Sequence, residues 1–272
     1  MLKISYVIIF LNSFSYFSFA QSNLEKTTGS LGRAAYESMS WLDIPGTAYW
    51  VTSGLFSLKL KSKIDVDPFT IDRDIHNNIS VPGHHSLGST DPRRYPETVF
   101  LTRLAVTTGA GLFFGIDTYE SYKHTLVFMK AVMYNFTLTE IFKDITHRTR
   151  PDNSDSRSFF SGHTSSAFVT SAFLFKETSS LLDENVKDDV LRTTLKTASF
   201  TALYGWAGYV GYSRIKDNKH YFSDVLFGAV AGTLIGIYVH DFYFNEDSGI
   251  LKNISLGMQN SQPTLNFRFD FD

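Results

Sequence analysis
The sequence predicts an all-α protein, a helical bundle followed by a small C-terminal β-hairpin. Three observations lead there. Five segments between Thr98 and Phe244 repeat apolar residues at helical spacing. None of the 272 residues is a cysteine, so the fold rests on a buried core without disulfides, and a chain of this size can bury one. Only the tail alternates apolar and polar residues, in Ile254-Ser255-Leu256-Gly257-Met258 and again from Leu265 to Phe271.

Taken in order, residues 1–20 read as a secretory signal peptide. Lys3 precedes an apolar, aromatic run from Ile4 to Phe19, and Ser18 and Ala20 are the small residues a signal peptidase needs. Asn12 and the interspersed serines weaken the rival reading, an uncleaved anchor. The expected location is periplasmic or otherwise extracytoplasmic. Residues 21–96 form an N-terminal region. It has a short amphipathic run, an apolar segment from Ile44 to Leu58 that reads as a helix, and a polar insertion over 59–96 rich in Asp, His, Pro and Gly. That insertion is expected to shape the rim of a pocket.

Residues 97–245 form the bundle. Its expected helices are Thr98–Thr118, Tyr122–Thr149, Gly162–Phe175, Asn185–Tyr212 and Tyr221–Phe244. The last carries Gly228, Gly232 and Gly236 among other small residues, which suits close packing of helices. Residues 246–272 are the hairpin tail, with Asn260-Ser261-Gln262-Pro263 as its turn. An isolated hairpin is marginal in water, so it needs a covering surface.

The formal net charge is −2 and no basic run occurs, which argues against a nucleic-acid partner. Some helices approach the length a bilayer requires. Against a membrane-integral bundle, Arg103, Lys130 and Glu140 interrupt two segments and mean hydropathy is slightly below zero. The sequence therefore favours a soluble or peripheral bundle over an integral one, with membrane contact left open.

Chemistry concentrates in three clusters: Lys143-x6-Arg150-Pro151, Ser161-Gly162-His163, and Ser213-Arg214-x5-His220-x3-Asp224. Lys143, Arg150 and Arg214 are three cations of the kind that grip a phosphate-like oxyanion, the arginines through two donors at once. Seven residues is about two helical turns, so Lys143 and Arg150 are expected on one helix face, with Pro151 ending that helix. Ser161 is a good helix opener, and Gly162 lets an anion approach the amides of the first turn. His220 and Asp224, four apart, are expected to stack on a helix, the carboxylate bonding one ring nitrogen and leaving the other free to attack. Each cluster alone is an ordinary solvated face, an ordinary N-cap or an ordinary surface pair. Their joint occurrence in this order is what points to a site.

The three clusters resemble the signature of the type-2 phosphatidic-acid phosphatase and vanadium haloperoxidase superfamily: Lys-x6-Arg-Pro, Pro-Ser-Gly-His, and Ser-Arg-x5-His-x3-Asp. The match spans residues 143–224 and departs at one position, where Phe160 replaces the usual proline. Altered loop geometry or a substrate contact is expected there. The resemblance implies a helical bundle of that type. It also implies that His220 is the nucleophile and forms a phosphohistidine, that Asp224 orients it, and that His163 protonates the leaving oxygen. Lys143, Arg150 and Arg214, with Ser161 and Gly162, would hold the phosphoryl group.

The expected function is a metal-independent phosphatase, without cofactor, acting on a lipid phosphate or pyrophosphate or on a small phosphoester. The alternatives are a vanadium haloperoxidase, with His220 as vanadate ligand, and a non-catalytic envelope protein that binds lipid phosphate. His84 and His85 lack a third partner at metal-ligand spacing and read as loop. His147 shares the expected face of Lys143 and Arg150 but stays outside the core site.

Overall fold
The computed structural model describes residues 21–40, 43–55, 66–86 and 94–245, and the backbones of 254–259 and 262–267. The signal-peptide reading falls outside the described residues. Among the described residues eight helices follow in order: α1 (21–37), α2 (Asp43–Leu55), α3 (Thr70–Ile79), α4 (Arg94–Phe114), α5 (Tyr119–Thr146), α6 (Gly162–Asn185), α7 (Asp189–Lys216) and α8 (Phe222–Phe244). At the C-terminus, β1 (Ile254–Gln259) and β2 (Gln262–Phe267) run antiparallel, with Ile254 opposite Phe267 and Gln259 opposite Gln262.

The chain falls into two compact units. One comprises Glu97–Met129 and the described residues up to Asp43. In it Asn23 donates to the Leu112 carbonyl (3.1 Å), and the Arg33 guanidinium lies 4.3 Å from the centre of the Tyr119 ring. The other comprises Ile44–Pro96 and the chain from Lys130 onward, and it holds every residue of the three clusters.

Within this second unit α6 is the central helix, packed on both α7 and α8, and α3 rests on α7 and α8. Ala167, Ala207 and Val210 form a buried patch against Phe168 and Trp206. The α6–α8 contact is unusually close, and glycine is the reason. A Cβ on Gly228 would lie 2.8 Å from the Ser161 carbonyl oxygen, and one on Gly236 would lie 2.7 Å from that of Val169. The close approach brings the first turn of α6 against the first turn of α8, where the Ser161 amide donates to the Asp224 carbonyl (3.0 Å).

Most expected helix bounds shift, α4 to Arg94–Phe114 and α5 to Tyr119–Thr146 among them, and in α6 and α7 the cause is visible. α6 continues to Asn185, ten residues past Phe175, because Lys176 and Glu177 lie on a helix that outlasts its apolar stretch; Lys176 pairs with Asp241 of α8 at 2.8 Å. α7 opens at its own N-cap, Asp188, whose carboxylate accepts the Leu191 amide (2.7 Å), and runs on through Ser213 and Arg214 to Lys216. Among the described residues, α8 is the one helix long and apolar enough to cross a membrane, and a third of that stretch is buried (33%).

Candidate active site
α5 delivers Lys143. Asn135 and Thr139, two turns and one turn earlier, contact the Ser165 hydroxyl of α6 (3.1 and 3.2 Å) and fix α5 against the start of that helix. The Lys143 ammonium consequently lies 3.3 Å from where a Gly162 Cβ would be. A side chain at 162 would crowd it and push it back by a few tenths of an ångström, so glycine gives the cation room beside the positive end of α6. Burial pushes the Lys143 pKa down, opposed by Glu140, whose carboxylate it meets at 3.0 Å.

The expectation that Lys143 and Arg150 share one helix is overturned. α5 ends at Thr146, whose carbonyl accepts the Val66 amide, and His147 takes a positive φ of 43° that a continuing helix forbids. Arg150 instead lies in a turn closed by hydrogen bonds between Arg150 and Asp155 and between Asn153 and Arg150 (2.9 and 3.0 Å). Asp155 accepts from Arg150 Nε (2.6 Å), and this aims Arg150 Nη1 at His220 Nε2, 3.3 Å away.

His220 is also not on a helix. It precedes Tyr221, the N-cap of α8, and its amide donates to the Arg214 carbonyl at the end of α7 (3.2 Å). Its ring is buried, 1% exposed. The Nδ1–H donates to the Ser158 carbonyl (2.8 Å), while Asp224 Oδ2 stands 3.7 Å away, too far for a hydrogen bond. The predicted Asp224–His220 bond is therefore replaced by a backbone contact, with Asp224 acting on the ring through charge. Nδ1 faces two acceptors and Nε2 faces a donor, which fixes the proton on Nδ1 and leaves the Nε2 lone pair beside Arg150. Burial lowers the His220 pKa; Asp224 opposes the shift, and Arg150 and Lys143 add to it.

The remaining predicted residues distribute as follows. Ser161 caps α6, its hydroxyl accepting the Thr164 amide and hydroxyl (3.4 and 2.9 Å). His163 is half-buried in the first turn of α6. Arg214 occupies the last turn of α7, 3.8 Å from Asp217. Asp217 also holds His84 (3.1 Å) and Ser86 (2.7 Å), so the His84 loop is a tether for the end of α7. Phe160 does not face a substrate: it is 2% exposed and packs on Phe142 and Phe159, with ring centres 5.5 and 6.1 Å away. The Phe159–Phe160 peptide bond is cis.

The sequence reading missed two groups of residues. The first lies beneath His220. Arg148, fully buried, joins Asp224 (2.6 Å) to Asp72 of α3 (2.6 Å) and also donates to Ser223 (2.7 Å). Each carboxylate caps its own helix: Asp72 accepts the Phe69 amide and Asp224 accepts the Tyr221 amide, both at 2.9 Å. The Arg148 guanidinium also lies 4.9 Å from the centre of the Tyr221 ring, in cation–π range. The polar insertion thus contributes a buried anion beneath the site, where a rim was expected. A signal existed: Phe69-x-x-Asp72 repeats the pattern of Tyr221-x-x-Asp224. The second group is Glu140, Asp144 and Arg157. Arg157 binds Glu140 at 2.7 Å and also pairs with Asp144, and its carbonyl accepts from Arg150 Nη2 (3.5 Å). Tyr49 donates to Asp144 (3.3 Å), and burial, reinforced by that carboxylate, pushes its pKa up to about 12.

Residues 124–248 match the sequence model of the PAP2 superfamily. The chain is similar to a lipid A 1-phosphatase of Porphyromonas gingivalis, 29% identical over 144 residues, covering 46% of this chain and 28% of that protein. It is also similar to phospholipid phosphatase 2 of Rattus norvegicus, 38% identical over 90 residues, covering 32% of this chain and 31% of that protein. The chain thus spans about a third of the length of these curated relatives. Among solved structures, it is similar to LpxE of Aquifex aeolicus, with 19% identity, a TM-score of 0.39, and coverage of 65% of this chain and 98% of that one.

Proposed function
We propose, on the match of residues 124–248 to the PAP2 superfamily, that this chain is a metal-independent phosphatase working through a phosphohistidine on His220. One observation carries the proposal: a buried imidazole with its proton held on Nδ1 by Ser158 and its Nε2 facing the Arg150 guanidinium at 3.3 Å. An anion gripped by Arg150 would sit against the nucleophilic lone pair. Arg150, Arg214 and Lys143, with the positive end of α6 at Gly162, neutralise the equatorial oxygens. Ser161 serves as the cap that sets this helix end.

His220 Nε2 forms a bond to phosphorus as the bond to the ester oxygen breaks. His163 gives that oxygen its proton. Water then attacks phosphorus, the P–N bond breaks with its electrons returning to the ring, and His163 takes the proton of the water. Asp224 balances the positive ring in between.

The proposed substrate is a phosphorylated lipid. Leu226, Phe227, Val230 and Leu234 are exposed on α8, beginning two residues after Asp224, and would suit an acyl chain on a headgroup held at the site. The relatives named as lipid phosphatases agree with that choice. The signal peptide read at residues 1–20 puts the reaction outside the cytoplasm, which fractionation of cells tests.

The decisive measurement is phosphate release by the purified protein, without added metal, from a lipid phosphate in detergent and from a soluble phosphoester. The lipid is expected to turn over faster. His220→Ala and His163→Ala are expected to lose about 10³-fold or more. Parent-like rates in both variants would remove the assignment.

A further inference from the structure
Resting on the phosphohistidine reading, we infer that Asp72 is a positioning residue for the reaction: it offsets the charge of Arg148, so that Asp224 remains available to stabilise the cationic ring of His220.

The argument starts from the charge count of a closed set. Arg148, Asp72 and Asp224 have side chains fully withdrawn from solvent. Arg148 reaches both carboxylates at 2.6 Å. Were Asp224 its sole partner, the pair would be neutral, and the ring above would experience almost no net charge. Asp72 changes that. Two carboxylates on one guanidinium leave one negative charge in a place where water cannot screen it. When Nε2 carries a phosphoryl group and Nδ1 keeps its proton, the ring is a cation. The buried set then becomes neutral at the moment the intermediate forms. A site arranged this way favours the charged state over the resting one, which is the condition for catalysis as opposed to mere binding.

The geometry supports a fixed role. Asp72 also accepts from Ser223, through the amide at 2.7 Å and the hydroxyl at 2.8 Å. Ser223 is next to Asp224 in the first turn of α8, so Asp72 holds the backbone that carries Asp224. Asp224 Oδ2 in turn accepts from the Ser158 hydroxyl (2.5 Å), and the Ser158 carbonyl holds the His220 ring. Asp72 lies outside residues 124–248, so this contribution comes from the N-terminal region of the chain.

The charged groups facing the ring from elsewhere are Arg150 and Asp155 of the turn and Lys143 of α5. All are left untouched by the test. Asp72→Asn, Arg148→Gln and the double variant are compared with the parent, each first checked for fold by circular dichroism. Titration of the His220 ring is followed by NMR on protein labelled with ¹⁵N-histidine, its signal identified by loss in His220→Gln. Asp72→Asn leaves the buried pair neutral, so the ring is expected to protonate at lower pH and kcat to fall about tenfold or more. Arg148→Gln leaves two negative charges, so the ring is expected to protonate at higher pH. The double variant restores one negative charge and returns the titration toward the parent.

A residue serving the fold alone would make both single variants move the same way, or not at all, with the double variant the worst; that result overturns the inference. Should Asp72→Asn fail to fold, Arg148→Gln and the double variant carry the test by their opposite displacement. Ring titration requires no turnover. Opposite shifts in a parent that releases no phosphate would therefore remove the phosphatase reading and leave the charge balance standing, whereas turnover with identical titrations would do the reverse.

Discussion

Two sets of carboxylate–guanidinium pairs surround His220, and they differ in their access to water. Below the ring, Asp72, Arg148 and Asp224 are 0% exposed. On the Arg150 side, Arg150 and Arg157 are 18% and 35% exposed, with Asp155 at 44% and Glu140 at 22%. The bond lengths are alike, but the consequences are opposite. A charge without water has no alternative partner, so the lower set is permanent and acts as a frame. A partly exposed pair exchanges with water and with any better anion, so Asp155 and Glu140 can yield their cations to a phosphate. The same ion pair is architecture in one place and a placeholder in the other.

The largest expected effect breaks the lower set. Arg148→Met strands two buried carboxylates and is expected to destabilise the fold by about 3–5 kcal/mol. Arg157→Met, the deletion on the more exposed side, releases the partly exposed Glu140 but also takes a partner from the buried Asp144, which keeps Tyr49, so it is expected to cost less, about 1–2 kcal/mol. Urea denaturation of both variants checks the contrast. Equal losses would mean that burial does not separate the two sets.

Acid should expose the second difference. Burial lowers the His220 pKa below its ordinary 6.5, so the neutral, attacking ring persists as pH falls through the usual imidazole range. The acid limb of kcat/KM is expected below pH 6.5. The same shift has a cost in stability. A ring that titrates low when folded binds a proton more readily when unfolded, so stability declines as pH drops from 6.5 toward the folded value. A pH–rate profile and thermal melts at matched pH measure the two effects separately.

The sequence disclosed each set only in part: Asp224 and Arg150 were read, whereas Arg148 and Asp72 of the buried set and Arg157 and Glu140 of the exposed one were not. Lys143, Arg150, Arg214, His163, His220 and Asp224 stood out as candidates because their residue types and spacings are unusual together; the structure sets Arg150 and Asp224 beside His220, and Ser161 read correctly as a helix cap. Spacing misled where it was converted into helical geometry. Lys143-x6-Arg150 spans a helix end, because the positive φ at His147 stops α5. His220-x3-Asp224 spans a helix start, because Asp224 reaches back to cap Tyr221. Arg148 and Asp72 were missed for a different reason. An isolated charge in a polar stretch reads as solvated, and only tertiary contact supplies the partners that allow its burial. Phe160 is the converse case: the departure from the family pattern was visible, but its destination among Phe142 and Phe159 was not.

The smallest expected effect sharpens the idea of a displaceable partner. Glu140 meets Lys143 at 3.0 Å and Arg157 at 2.7 Å, so a phosphate arriving at Lys143 must compete with a carboxylate already there. Glu140→Gln removes the competitor and keeps the shape. Inorganic phosphate is then expected to inhibit about fivefold more tightly at neutral pH, equivalent to ~1 kcal/mol. The gain has a limit that follows from the same contact. Glu140 holds the Lys143 pKa up against burial and against Arg150 and Arg157. Without it Lys143 loses its proton at lower pH, so the tighter inhibition should fade earlier on the alkaline side than in the parent. Inhibition measured across pH distinguishes the outcomes. A uniform change would point to altered packing, whereas a gain near neutrality that disappears in alkali identifies Glu140 as the anion that substrate replaces.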